Sequence, residues 1–251
     1  MHSLGLSSIA FACIFGATLL GMFLRPRLSA DHLNTDSRDA IRLSMGVIGT
    51  MSALVLGLLI ASAKSTYDTK TNQVRQLTVN LIVLDQLLAQ YGPETRIHRE
   101  LLRRGTASLA DRIWSERDLE TATTTAFGMS NEAEIFLQKV EELAPQSDIQ
   151  RSIRARAIST ITDLAQTRLS LYAQAGNSVP LPFLALLVFW LAMIFASFSL
   201  FVPPNPIVIA AFLVCAFSAS GALFLIFELD RPFTGLMTIS DLPLRHALGP
   251  L

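Results

Sequence analysis

The sequence predicts an all-α integral membrane protein, with four bilayer-crossing helices and a water-soluble helical bundle between the second and third. Three observations carry this expectation. Residues 3–24, 43–63 and 179–227 contain no Asp, Glu, Lys or Arg, whereas residues 64–178 hold 14 basic and 14 acidic residues. Half of the chain is hydrophobic (51%), 16% is charged and mean hydropathy is +0.45, too apolar for an ordinary soluble domain of 251 residues. Within the charged insert, apolar residues then return at the 3-4 spacing of packed helices.

A spanning helix needs about 20 apolar residues at about 1.5 Å each. Four segments qualify, at about residues 4–24, 43–63, 182–202 and 207–227. In hydrocarbon the backbone must satisfy its own polar groups, so each is read as a helix. The first segment lacks a basic n-region, exceeds a usual signal-peptide core and is followed directly by Arg25 and Arg27, so it reads as a crossing rather than a cleaved leader. Val202-Pro203-Pro204-Asn205-Pro206 is short enough to make the last two crossings an antiparallel hairpin. The organisation expected is residues 1–63 with two crossings, a bundle over 64–178, and 179–251 with two crossings and a short tail.

In the insert, Val74, Leu77, Leu81, Leu84, Leu88 and Tyr91 follow a heptad seam, with Tyr67 and Lys70 one heptad earlier. No breaker separates Ala63 from Gln90, so the second crossing is expected to continue as a rod about 40 Å beyond the bilayer. Gly92-Pro93 ends it. A second helix over 94–114 carries Ile97, Leu101, Leu102, Leu109 and Ile113 on its apolar side. After a Thr-rich stretch at 121–125, Asn131 and Glu134 fit a capping box opening a helix to Leu143, which Pro145 stops. A last helix over 147–174 carries Ile158, Ile161, Ala165, Leu169 and Tyr172.

Chemistry is sparse. The sequence has no phosphate-binding loop, nucleophile elbow, His-Glu-x-x-His or Cys-x-x-Cys motif, so no catalytic residue, metal site or cofactor is assigned and an enzyme is not expected. Glu94 and His98 are one turn apart but lack a third ligand. Arg96, Arg99, Arg103 and Arg104 read as a solvated helix face or a contact for lipid headgroups. Cys13 and Cys215 lie in apolar runs and read as packing residues. The formal charge is zero, which gives no reason to expect a nucleic-acid partner.

The second crossing is the informative segment. Small residues recur at Gly49, Ala53, Gly57 and Ala61, flanked by Gly46 and Thr50. Such a stripe lets helix backbones approach closely in lipid. It also suits a pore wall with an apolar collar at Met51 or Leu54. Charged residues collect at helix ends: Arg38, Arg42 and Lys64 around the second crossing, and Glu228, Asp230 and Arg231 after the fourth. They read as interfacial anchors or as a charge-selective ring, the basic ones favouring anions. Six basic residues against four on the opposing loop (Arg25, Arg27, Arg38, Arg42) place the bundle and both termini in the cytoplasm.

The run from Asp36-Ser37-Arg38-Asp39-Ala40-Ile41-Arg42-Leu43 through Gly46 to Ala53-Leu54-Val55-Leu56-Gly57-Leu58-Leu59-Ile60-Ala61-Ser62-Ala63-Lys64-Ser65 resembles the core of a bacterial membrane family called bestrophin-like. Glu228-Leu229-Asp230-Arg231-Pro232-Phe233-Thr234-Gly235-Leu236 resembles a second motif of that family, and the likeness covers nearly the whole chain. No reaction is established for the family as a group. The more distant resemblance to bestrophin anion channels implies a multi-pass protein of the bacterial inner membrane, a pentamer, a pore lined by the second crossing, and small anions as its cargo. This chain departs from bestrophins in having no Phe between Leu43 and Lys64 and no acidic cluster suited to calcium. Two functions follow as expectations: an oligomeric anion channel, or a non-conducting scaffold or sensor whose bundle binds a partner.

Overall fold

A computed structural model describes residues 2–27, 35–114, 131–173 and 180–248. Every described element is a helix: α1 (His2–Leu24), α2 (Thr35–Tyr91), α3 (Arg96–Ile113), α4 (Asn131–Glu141), α5 (Asp148–Ala173), α6 (Leu181–Phe201), α7 (Pro206–Leu229) and α8 (Leu242–His246), with 3-10 turns at Arg25–Arg27 and Pro93–Thr95. Four helices are long and apolar enough to cross a membrane: α1, α2, α6 and α7. Their ends fall within about two residues of the expected spans, apart from α2, which begins earlier and runs on as expected.

The chain divides into two compact units. The first comprises residues 1–66 and 177–231, and in it α1 packs against α6 and α7. Packing there depends on small residues as much as on bulk. A Cβ on Gly21 would collide with Ser199 Oγ and lie 2.5 Å from the Ala196 carbonyl oxygen, so α1 and α6 meet this closely only because residue 21 is glycine. Elsewhere in this unit the Phe11 ring stacks on Phe15 and meets Phe217 edge-on, and Phe195 lies against Phe212. Asn205 caps α7 by accepting a 3.1 Å hydrogen bond from the Ile207 N–H, and Pro206 occupies the first helical position, where it has no bond to lose.

The second unit comprises residues 67–176 and 232–251. Its core is the heptad seam, in which Val74, Leu77, Leu81, Leu84, Leu88 and Tyr91 are all buried. Lys70 is also buried and Tyr67 half-buried, so the register extends one heptad back. Gly92 ends α2 with φ 140°, a conformation that side chains resist. The buried Thr95 hydroxyl donates to the Leu88 and Gly92 carbonyls and closes the turn into α3. Helices α3 and α4, α4 and α5, and α3 and α8 are packed neighbours. Trp114 ties the tail to this unit, since its indole N–H donates to the Ile239 carbonyl at 2.8 Å and its ring meets Phe233 edge-on.

Two expected core residues are not core. Ile97 is 69% exposed and Leu169 is 44% exposed. Apolar spacing marks a stripe but does not say which of its members a neighbouring helix covers. Leu171 is buried instead, a position outside the expected set. The Thr-rich stretch at 121–125 lies outside the described residues, as do the side chains of Asn131 and Tyr172.

Candidate functional site

The functional question centres on α2 within the first unit, because this helix is the least covered crossing. Only 11% of its most apolar window is buried inside the chain, against 33% for α1. At about 100° per residue its surface divides into three faces. One, with Ser52, Leu59 and Ala63, is buried. A second presents Leu43, Val47, Met51, Leu54 and Leu58, all exposed, Leu54 at 75%. The third carries the small stripe. Gly46, Thr50, Ala53, Gly57 and Ala61 are exposed and Gly49 half-exposed. A Cβ built on Gly46, Gly49 or Gly57 meets nothing within 4 Å, so at its glycines the stripe has no close neighbour among the described residues.

Charges bracket the stripe. Helical phase puts Arg42 and Lys64 on the stripe's face, about 33 Å apart along the axis at about 1.5 Å per residue. Both side chains are exposed, and Arg42 pairs loosely with Asp39 at 3.7 Å, a contact worth little in water. Arg38 lies off that face, with its guanidinium 5.9 Å from the Phe201 ring centroid, at the outer range of a cation–π contact between α2 and α6.

The charges at the end of α7 behave otherwise. Glu228 does not reach outward as an interfacial anchor. It is 2% exposed, and its carboxylate accepts a 3.0 Å hydrogen bond from the buried Ser3 hydroxyl of α1. A carboxylate at a helix end is free to snorkel only where no neighbour covers it, and here α1 packs on α7. Asp230 and Arg231 are half-buried, and their N–H groups donate to the Ile226 and Glu228 carbonyls at 3.1 and 3.2 Å, closing the helix C-terminus.

Outside the membrane segments, the arginine group at 96–104 is not one surface patch. Arg99 forks onto Asp85 with bonds of 2.8 and 2.6 Å, and the two side chains are only 26% and 10% exposed. The Asp85 bond pushes the Arg99 pKa further up, so this arginine is a fixed structural cation. Its signal in the sequence was faint: a carboxylate beside the heptad seam and an arginine 14 residues on, across a turn. Arg104 pairs with Glu100 at 3.1 Å on the surface. His98 Nε2 lies 3.1 Å from the Lys139 carbonyl oxygen and Glu94 is exposed. Among the described residues, no group of three His, Cys, Asp or Glu side chains is placed to hold a metal.

A family model described as a bestrophin-like domain matches residues 12–244. The chain belongs to the bestrophin-like family. Two crystal structures of a bacterial bestrophin homolog from Klebsiella pneumoniae, each with one substitution, share its fold. Their TM-scores are 0.65 and 0.64 at 14% and 15% identity, covering 96% and 99% of this chain and 95% and 94% of theirs. No curated protein matches the chain. A bestrophin-like membrane protein with an all-α fold is therefore the identity within which α2 is to be understood.

Proposed function

We propose that this bestrophin-like protein assembles into an oligomer whose α2 helices line an anion-conducting pore. The observation that carries the reading is the stripe from Gly46 to Ala61, which is largely exposed and whose glycines have room for a side chain among the described residues, with Arg42 and Lys64 on the same face. An apolar crossing gains nothing in lipid from smoothness alone, because hydrocarbon accepts Leu as readily as Gly. A small, weakly polar wall suits water and ions, and a cation at each end concentrates anions at the mouths. The second exposed face, Leu43 to Leu58, suits lipid or a neighbouring copy. The bundle over 64–178 and both termini sit on the cytoplasmic side of the inner membrane in this reading, following the six-to-four basic count.

Purified protein in planar bilayers is expected to carry anion currents, and Lys64→Glu to shift the reversal potential toward cations. Silence of the wild-type protein across voltage, pH and calcium contradicts the reading. The stripe is then a packing seam between copies, and the protein a non-conducting scaffold.

A further inference from the structure

We propose that the bundle of the second unit binds one uncharged single-chain lipid with a hydroxylated head, of the monoacylglycerol kind. Two adjoining spaces build the site. The first is a cavity of about 990 Å³ between α2, α3, α4 and α5. That is the upper end of ligand pockets, which run about 300–1,000 Å³. Its walls are apolar: Leu81, Leu102, Leu109, Phe136, Ile161 and Leu164 come from all four helices. Packed cores leave few voids larger than a water molecule, and emptiness costs stability in proportion to its volume. Water fills such a space poorly, because apolar walls offer it no hydrogen-bond partners. A hydrocarbon chain fits it.

The second space is a groove of about 510 Å³ between α2 and α5. Its walls are amides and hydroxyls, with Asn72, Gln73 and Gln76 on one helix and Gln166, Thr167 and Ser170 on the other. Gln166 lines both spaces, and Gln76 of the groove precedes Leu77 of the cavity, so the two adjoin along α2 and α5. Among the described residues, no charged side chain lines the groove. Gln73 Oε1 is buried without a hydrogen bond, and a ligand hydroxyl would satisfy it. The arginines bordering the cavity are already engaged. Arg104 pairs with Glu100 at 3.1 Å, Arg112 Nη2 lies 3.1 Å from the Ser108 hydroxyl, and Arg168 also has a partner. The wall hydroxyls of Thr106 and Thr162 donate to the Leu102 and Ile158 carbonyls of their own helices. A charged head would enter without a counter-ion, whereas a hydroxylated head meets amides. This inference is independent of ion conduction, and its test reads binding directly.

The full-length protein in lipid vesicles is incubated with monopalmitoylglycerol bearing a diazirine in its chain, irradiated, and its labelled peptides mapped. Label is expected within residues 77–84, 101–109, 133–137 and 161–169. Excess monopalmitoylglycerol should compete. At equal membrane mole fraction, ionised palmitate and hexadecane should each compete at least about tenfold less well, one for its charge and the other for its missing hydroxyls. Ala165→Trp, which fills the cavity from α5, should abolish the label. Should that variant fail to fold, Gly105→Leu fills it from α3, where a Cβ meets nothing within 4 Å. Gln73→Leu, which removes the unpaired acceptor, should cut labelling about tenfold. No label in those peptides, or unchanged labelling in a folded cavity-filled variant, overturns the proposal. Equal competition by palmitate or by hexadecane, or full labelling of Gln73→Leu, overturns the assignment of an uncharged hydroxylated head.

Discussion

Helix α2 contributes to both units, and its surface follows a different rule in each. In the first unit, among the residues of α2 whose burial is described, only Ser52, Leu59 and Ala63 are buried. In the second, the whole seam from Val74 to Tyr91 is buried. The same backbone carries both patterns without a break. In water an exposed leucine forfeits about 25 cal/mol per Å² of apolar surface, so the rod must close its seam against α3 to α5. In hydrocarbon that penalty vanishes, and Leu54 stays exposed at no cost to the fold. Burial therefore reports stability in the bundle, whereas in the membrane unit the chemistry of the exposed faces reports function.

The largest expected effect tests that contrast directly. Leu84→Ala, at a fully buried seam position, should destabilise the bundle by about 2–5 kcal/mol. Leu54→Ala should change the chain's stability by no more than about 0.5 kcal/mol. Thermal unfolding of the detergent-purified variants checks both, and equal losses break the comparison.

Two glycines sharpen it next. Gly21→Ala drives a methyl into Ser199 and the Ala196 backbone, and overpacking of this kind costs about 1–3 kcal/mol. Gly57→Ala meets no described atom of the chain and should not lower its melting temperature while altering conductance. Unaltered melting of Gly21→Ala would show that the α1–α6 approach is looser than described.

The third effect belongs to the bundle's polar link. Arg99→Ala strands a nearly buried Asp85, and the loss should be about 1–3 kcal/mol, read as a lower midpoint in urea. Arg99→Lys keeps the charge, loses the fork, and should fall between. The smallest effect is a gain. Gly105→Ala should stabilise α3 by about 0.5–1 kcal/mol, because alanine restricts the unfolded chain and its methyl meets empty space.

Much of the fold was legible in the sequence, and the reason differs by unit. Charge-free stretches of spanning length have few alternatives to a membrane helix, so the four crossings could be read directly. The seam was readable because Val74 to Tyr91 keep one spacing and Gly92-Pro93 stops it. What escaped depends on neighbours far along the chain. Ile97 and Leu169 fit a helical stripe, but periodicity does not say which of its residues a neighbouring helix covers. The Arg99–Asp85 fork spans a turn, and the burial of Glu228 depends on Ser3 at the opposite end of the sequence. The stripe on α2 was visible as a pattern of small residues. The direction it faces was not, because a 3.6-residue period fixes a face without naming what lies opposite.

The central claim is that the two exposed faces of α2 meet different surroundings, water on one and hydrocarbon or protein on the other. Cysteine accessibility in native membranes tests it most directly, in a background where the exposed Cys13 and Cys215 are replaced by alanine. With a charged, membrane-impermeant thiol reagent, the account predicts labelling of Ala53→Cys and Gly57→Cys and none of Leu54→Cys or Leu58→Cys. Equal labelling of the two faces, or none on either, would contradict it.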